Sequence, residues 1–189
     1  MGGTPLFEVG YLTVASNAGF NAAGLGWEST WAGTGQGIGP GVGGDRGSGG
    51  GHGGRGGKSS SGNAGGQSYD STNAPIQPGS GAGARAGGSQ KSGGGRGGGA
   101  IRVIARETVR LEGTMNADGL RSWVFDSGGG AGGSIFVICR YFEGGTQAVM
   151  SAIGGNSPPG GLDQGGGGGG GRIAVWHQVG DSSERNKIL

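Results

Sequence analysis

The chain has 189 residues, of which 56 are glycine and 31% are apolar, and this composition argues against a thick hydrophobic core. The chain has only six prolines, and its glycines occur in runs. Both features exclude a collagen triple helix, which needs glycine at every third position. The net charge of +2 is spread along the sequence without a dense basic patch, so we expect no nucleic-acid partner. No apolar stretch is long enough to predict membrane insertion.

The N-terminal residues 1–24 predict a first coil of strands. In "LFEVGYLTVASNAGFNAAG", Leu12 and Val14 alternate as residues on one face of a strand do. The segment "ASNAG" at 15–19 is similar to "MNADG" at 115–119, which indicates equivalent places in a repeat. Residues 25–99 then form a glycine-rich insertion much longer than an ordinary connection, so we expect a functional projection or a disordered segment.

Three later segments align without gaps: "GGGAIRVIAR" at 97–106, "AGGSIFVICR" at 131–140 and "GGGRIAVWH" at 169–177. Each passes from a glycine run into period-two alternation, which is typical of stacked strands rather than helices. The single cysteine alternates with the apolar residues of its segment, so we interpret it as a small core residue and expect no disulfide. The aligned positions predict a core that contains Ile101, Val103, Ile135, Val137, Cys139, Ile173 and Val175.

A second aligned pair, "GTMNADG" at 113–119 and "AVMSAIG" at 148–154, adds Met115 and Met150 to the predicted core. Each repeat therefore contains at least two strands, and the differences in length fall in the loops, as they do in solenoids. We predict an all-β fold, a short parallel β-solenoid of about three to four coils in a single domain over 1–189. Two to three regular coils are expected over 100–179, followed by a polar tail over 180–189.

Glycine runs at 93–99, 128–133 and 165–171 precede the three aligned strands. If those strands stack about 4.8 Å apart, the glycine runs must also lie side by side. We expect extended segments with three residues per turn, packed as polyglycine II-like layers through backbone hydrogen bonds. The alternative is that the runs are flexible linkers, the usual behaviour of such composition.

The sequence predicts no catalytic, cofactor or metal site. His52 lies near Arg55 and Lys58 in a stretch that could bind an anion, but no helical pattern follows, and a hydrogen bond within the insertion is favoured. The other histidine, His177, is on a strand, so no metal-ligand cluster can be proposed. The carboxylates occur singly, which favours solvated charges over an acid–base pair acting on polysaccharides. They are Glu107, Glu112, Asp118, Asp126, Glu143 and Asp163.

Aromatic residues at the margins of loops and strands are the strongest candidates for contact with a partner. The favoured interpretation is that such rings cover the edges of the glycine layers, which lack side chains of their own; the alternative is contact with a carbohydrate or another surface. The candidates are Trp27, Trp31, Tyr69 and Trp123.

The order of these segments resembles the glycine-rich repeat regions of large bacterial cell-surface proteins and of some plant glycine-rich surface proteins. The resemblance covers most of residues 47–177 and implies a right-handed parallel β-helix with a passive structural or adhesive role and no catalytic residues. This chain departs from the pattern in its second repeat, where "GGTQAVMSAIGGN" is less regular than expected. The matching segments are "GSGGGHGGRGG" at 47–57, "SYDSTNAPIQPGSGA" at 68–82, "GGGAIRVIARETVRLEGTMNADG" at 97–119, "SGGGAGGSIFVICR" at 127–140 and "GGGGGGGRIAVWH" at 165–177.

We therefore predict a non-enzymatic structural protein that is extracellular or on the cell surface. A solenoid of few coils exposes strand edges at both ends, and these edges predict end-to-end assembly with further copies of the chain into a filament. The alternative is a cell-surface or tail-fibre-like adhesin that binds glycans through the glycine-rich loops of residues 24–99.

Overall fold

The computed structural model describes residues 4–31, 33–86, 93–158 and 164–178. The predicted polar tail at 180–189 and Asp163 lie outside these residues. The described part of the chain is all-β, with ten strands and no helix. The strands are β1 Leu6–Val9, β2 Leu12–Val14, β3 Gly19–Asn21, β4 Ala100–Ala105, β5 Thr108–Leu111, β6 Thr114–Asn116, β7 Ser134–Cys139, β8 Tyr141–Gly144, β9 Val149–Ser151 and β10 Arg172–His177.

The ten strands form three sheets in which every pair of neighbours is parallel. Sheet A has the order β1-β4-β7-β10, sheet B the order β2-β5-β8 and sheet C the order β3-β6-β9. Consecutive strands along the chain therefore belong to sheets A, B and C in turn, and the fourth strand returns to sheet A beside the first. Each of the first three repeats contributes three strands, one more than the minimum that the sequence predicted, and β10 is the one described strand of the fourth.

The register predicted from the aligned segments is confirmed. In sheet A, Ile135 pairs with Ile101 on one side and with Ile173 on the other, and in sheet C Met115 pairs with Met150. The expected match of "ASNAG" with "MNADG" is wrong, because Phe20 and Asn21 pair with Met115 and Asn116. The equivalent segment is thus "FNAAG" at 20–24, in which the aromatic ring takes the inward position that methionine has in the next repeat.

The hydrophobic core lies between the three sheets and contains most of the residues that the repeats predict. The inward positions of β4 and β7 are almost fully buried, as are Val109 and Leu111 of β5. Branched aliphatic side chains suit this arrangement because they pack well on a pleated surface. The predicted residues that are buried are Ile101, Val103, Met115, Ile135, Val137 and Cys139.

The last strand departs from the predicted core. Ile173 is 44% exposed, although it occupies the same repeat position as the fully buried Ile135. The reason is that β10 is the outermost strand of sheet A, so that no described strand lies beyond it. Val175 and Met150 are partly buried and pack against the core from its margin.

Beside the sheets lies a bundle of extended glycine-rich segments, which we call the glycine array and define as residues 47–57, 79–84, 93–99, 127–133 and 165–171. Its central segment, 128–133, donates backbone hydrogen bonds in three directions with a period of three residues. Gly128 and Ala131 donate to Gly83 and Ser80, while Gly129 and Gly132 donate to Gly166 and Gly169. The third pair, Gly130 and Gly133, donates to Leu120 and Ala117.

The same central segment also accepts hydrogen bonds from three further directions. The carbonyls of Gly128 and Ala131 accept from Gly95 and Gly98, that of Gly129 accepts from Gly50, and that of Gly130 accepts from Gly155. Residues 128–133 therefore have six neighbouring segments. A Cβ added at Gly129 would overlap the carbonyl of Gly155, and one added at Gly133 would overlap that of Gly99. Glycine is required here because backbone atoms approach from the directions in which side chains would project.

The insertion at 25–99 supplies much of this array. Residues 47–52 and 78–84 are buried, and their backbone groups bond to the central segment and to the run before β10. These two stretches of the insertion are therefore packed into the molecule, which differs from the expectation that the whole insertion projects from it or is disordered. The physical reason is that backbone hydrogen bonds from several segments converge on each glycine chain.

Candidate functional site

Among the residues that the structure describes, the backbone groups along the outer edges of the two outermost strands of sheet A have no partners. The N–H of Arg106 donates to the carbonyl of Val9, so the backbone groups of Val9 and Phe7 point toward β4. Those of Leu6 and Glu8 consequently point away from the sheet. On β10, the N–H of Arg172 donates to Gly133. Successive residues alternate, so Ile173, Val175 and His177 have outward-pointing backbone groups.

Apolar side chains accompany both edges. Leu6 and Phe7 on β1 and Ile173 and Trp176 on β10 are all exposed. An exposed apolar edge strand is a template for pairing with another chain. Within the described residues, sheets B and C have three strands against four in sheet A, so the end that carries β10 is stepped.

A cleft between the insertion and the segment after β6 brings together two of the predicted aromatic candidates. It has a volume of about 290 Å³, and Trp31 and Trp123 both line it. Trp31 is 67% exposed and Trp123 is 78% exposed. The Arg96 guanidinium forms a 2.9 Å ion pair with Glu28 at this cleft. The Arg121 guanidinium carbon lies 5.2 Å from the centre of the Trp123 ring, within cation–π distance.

The other two aromatic candidates are packed against the glycine array rather than presented to a partner. The Tyr69 hydroxyl donates to the carbonyl of Pro78 and accepts from Ser80, and burial raises the pKa of Tyr69 to about 12. Trp27 is half-buried, and its backbone bonds to Gly79 and Gly97 of the array. Rings fit here because the neighbouring glycine segments have no side chains to fill the space.

A buried polar cluster joins the insertion to sheet A. The ring nitrogens of His52 lie 2.9 Å from the carbonyl of Gly132 and 3.2 Å from Asp70 Oδ2. The Ser134 hydroxyl, at the start of β7, donates to Gln77 and also lies 3.2 Å from Asp70 Oδ2. The predicted hydrogen bond of His52 within the insertion is thus confirmed. The ring is completely buried, which leaves a phosphate no access to it.

Burial and hydrogen bonding shift the pKa values of His52 and Asp70 downward for different reasons. It lowers the pKa of His52 from its ordinary value of 6.5, and the hydrogen bond and charge of Asp70 only partly oppose it. Burial also raises the pKa of Asp70, but the N–H groups of Gln77 and Ser71 together with His52 outweigh that effect, so the net pKa shift is downward. Asp70 has a φ of 71°, a left-handed conformation that aspartate tolerates better than most residues.

The geometry of this cluster differs from that of a nucleophilic triad. In a triad, one histidine nitrogen faces the serine and the other faces the carboxylate. Here Ser134 and His52 converge on the same oxygen of Asp70, and the second ring nitrogen faces Gly132. We interpret the cluster as a connection between the glycine array and sheet A.

The singly occurring carboxylates have separate neighbours. Glu107 and Glu112 form ion pairs with Arg140 and Arg110 on the surface, and Asp126 pairs with Arg85. Asp118 accepts hydrogen bonds from Ser151 and Ile153. His177 is exposed on β10. In the described part of the chain, no group of three or more His, Cys, Asp or Glu side chains could hold a metal ion.

Asp70 and Ser134 were not among the residues that the sequence predicted to be functional. Ser134 aligns with Ala100 and Arg172 in the other repeats, so the repeat pattern contained no sign of a polar role. Asp70 is followed by "STNAP", a turn-forming composition that could have indicated a residue bonding to backbone N–H groups.

The chain matches no family model, no curated protein and no solved structure. Across residues 4–31, 33–86, 93–158 and 164–178 there is no helix of the length and apolarity needed to span a bilayer.

Proposed function

We propose that the protein is a non-enzymatic structural element built as a short parallel β-solenoid, and that it assembles end to end with further copies. In this reading one strand from each of sheets A, B and C forms a coil, so the ten strands make three coils and the start of a fourth. The glycine array is a polyglycine II-like bundle that stiffens one side of the coils. Location outside the cell or at its surface belongs to the same proposal and rests on the family resemblance.

The observation that carries the proposal is the match between the two edges of sheet A. Continuing the register of the sheet would place Leu6 of a second copy beside Ala174 and Phe7 beside Val175. The outward backbone groups of Leu6 and Glu8 would then meet those of Val175 and His177. Phe7 would extend the inward column formed by Val103, Val137 and Val175.

Sheet A is the site where the copies pair in this proposal. Within the described residues, sheets B and C end one strand earlier than sheet A, so a copy added to β10 leaves a gap of about one strand spacing beside β8 and β9. Because the contact joins different surfaces of each copy, it does not close and can continue into a filament.

A pair of proline variants tests this assignment. Glu8→Pro removes an outward N–H from the sheet A edge and leaves the groups that bond to β4 in place. Thr13→Pro makes the same change on the sheet B edge, where Val14 accepts the hydrogen bond from Glu112. We expect filaments of the unmodified chain and of Thr13→Pro in electron micrographs, and dispersed monomers of Glu8→Pro with an unchanged melting temperature.

Two results would contradict the proposal. One is an unmodified chain that sediments as a monomer at every concentration up to the limit of solubility. The other is a Glu8→Pro variant that assembles as readily as the unmodified chain.

A second candidate function, a glycan-binding adhesin, is favoured by the cleft that Trp31 and Trp123 line. Two large aromatic side chains that are mostly exposed at one cleft are typical of a binding surface. The two functions are compatible, since the cleft is formed by residues outside the strands of sheet A.

A further inference from the structure

We propose that the cleft lined by Trp31 and Trp123 binds acidic polysaccharides, with a sugar ring against an indole and a sugar carboxylate at Arg121. The proposal rests on the second candidate function and specifies the chemical class of its ligand. It follows from the shape, the aromatic surface and the charge of the cleft.

The size of the cleft suits a short stretch of an extended ligand. Its volume of about 290 Å³ is close to the lower bound of about 300 Å³ that ligand pockets typically have. It is bounded by residues 28–31 of the insertion, by the glycine run at Gly93 and Gly94, and by the segment 120–124.

The aromatic surface is the feature that a sugar recognises. An indole has a flat face of negative electrostatic potential, and the C–H groups on one face of a pyranose ring are weakly positive and apolar. Stacking the two removes apolar surface from water on both partners. Trp123 is 78% exposed even though the Arg121 guanidinium lies over its ring, so ring surface remains available for such a contact.

Polar groups that suit sugar hydroxyls lie beside the indoles. The Arg96 guanidinium donates to Glu28 and has further N–H groups, while the Glu28 carboxylate can accept hydrogen bonds. A charged donor and a charged acceptor held together can bond to the neighbouring hydroxyls of one sugar, which both donate and accept. This pair provides orientation in addition to the stacking.

The charge of the cleft selects an anionic ligand. Two arginines and one glutamate line it, and Arg96 is paired with Glu28. Within the described residues Arg121 forms no ion pair and lies over the Trp123 ring. A guanidinium binds a carboxylate through two parallel N–H bonds, so a uronic acid stacked on Trp123 would bring its carboxylate to this arginine.

The test uses a hexamer of galacturonic acid and a neutral galactose hexamer as probes, with binding measured by titration calorimetry. We expect the acidic hexamer to bind at least tenfold more tightly than the neutral one, with an affinity that falls as salt is added. Trp123→Ala and Trp31→Ala should each lose at least tenfold in affinity. Arg121→Gln should reduce the preference for the acidic hexamer to less than threefold while retaining binding of the neutral one.

Control variants separate this proposal from folding and from assembly. Tyr11→Ala removes an aromatic side chain that is 72% exposed and lies outside the cleft, and should bind the acidic hexamer like the unmodified chain. The Glu8→Pro variant should also bind it fully, so a failure of assembly does not affect this result. Absence of binding by the unmodified chain, equal affinity for the two hexamers, or unchanged binding by Trp123→Ala would each overturn the proposal.

Discussion

The sheet core and the glycine array come from the same repeats, yet they are held together by opposite means. In the core, Ile135 is buried through its side chain, which packs between sheets whose backbone groups are already paired. In the array, Gly129 is buried because it has no side chain, and its backbone bonds to Gly166 and Gly50. The contrast indicates that one chain can build a stable interior either from apolar volume or from converging backbone hydrogen bonds.

The two regions also differ in how position along the stack affects burial. In the core, burial falls sharply from Ile135 in the third strand of sheet A to Ile173 in the fourth. In the array, the segment before that same fourth strand remains hydrogen-bonded, since Gly168 and Gly171 donate to Gly155 and Ala152. The backbone hydrogen bonds of the array therefore continue to the β10 end of the sheets, where fewer apolar side chains are buried.

The largest expected effect comes from the core. Ile135→Ala removes a fully buried side chain and should lower the free energy of unfolding by about 2–5 kcal/mol. The matched control is Ile173→Ala, at the same repeat position but 44% exposed, for which we expect about 1 kcal/mol or less. Denaturant unfolding measures both. Equal losses of unfolding free energy would show that β7 and β10 have the same environment, and would contradict the greater burial of Ile135.

A smaller effect is expected in the array, within a single glycine run. A Cβ at Gly168 would overlap the carbonyl of Gly130, whereas a Cβ at Gly170 meets no atom within 4 Å. Gly168→Ala should therefore cost roughly 1–3 kcal/mol, and each kcal/mol corresponds to about 2–4 °C in melting temperature.

The variant Gly170→Ala should leave the melting temperature nearly unchanged. This comparison keeps composition and location constant and changes only the space available to a methyl group. If both variants melt like the unmodified chain, the run behaves as a flexible linker and the array does not contribute to stability.

The smallest effect concerns the connection between the two regions at His52. Its pKa lies below 6.5 in the folded state, so above pH 6.5 the histidine is neutral in both states and the full stability is present. As the pH falls below 6.5, the unfolded chain binds a proton that the folded chain excludes. Stability should therefore decrease on acidification, by at most about 1.4 kcal/mol per pH unit.

The control for this effect is the only other histidine. His52→Gln should flatten the dependence of unfolding free energy on pH between 6.5 and 5, whereas His177→Gln, on an exposed residue, should retain it. Asp70 adds a further loss only below its ordinary pKa of 3.8, because its pKa is also lowered. A stability that rises between pH 6.5 and 5 would contradict the burial of a neutral imidazole.

Much of the fold could be predicted because the alternation of apolar and polar side chains along a strand indicates which face is buried. The alternation at 101–105, 135–139 and 173–177 predicted the pairing of β4, β7 and β10 residue by residue, but not that of β1 with β4. The register of the N-terminal strands was harder to predict, since "ASNAG" and "FNAAG" both match "MNADG" in sequence. Only the pairing of Phe20 with Met115 in the structure shows that "FNAAG" is the equivalent segment. The site was less predictable, because Trp31 and Trp123 are separated by about half of the chain and come to one cleft only in the folded structure.

The sequence by itself determined the parallel, all-β character and the register of the repeats, because period-two apolar patterns are local and recur at equivalent positions. Only the tertiary structure decided which glycine segments are neighbours and that the insertion lies among them. Glycine has no side chain to specify a partner, so the choice depends on which distant backbone groups the folded sheets bring within hydrogen-bonding distance.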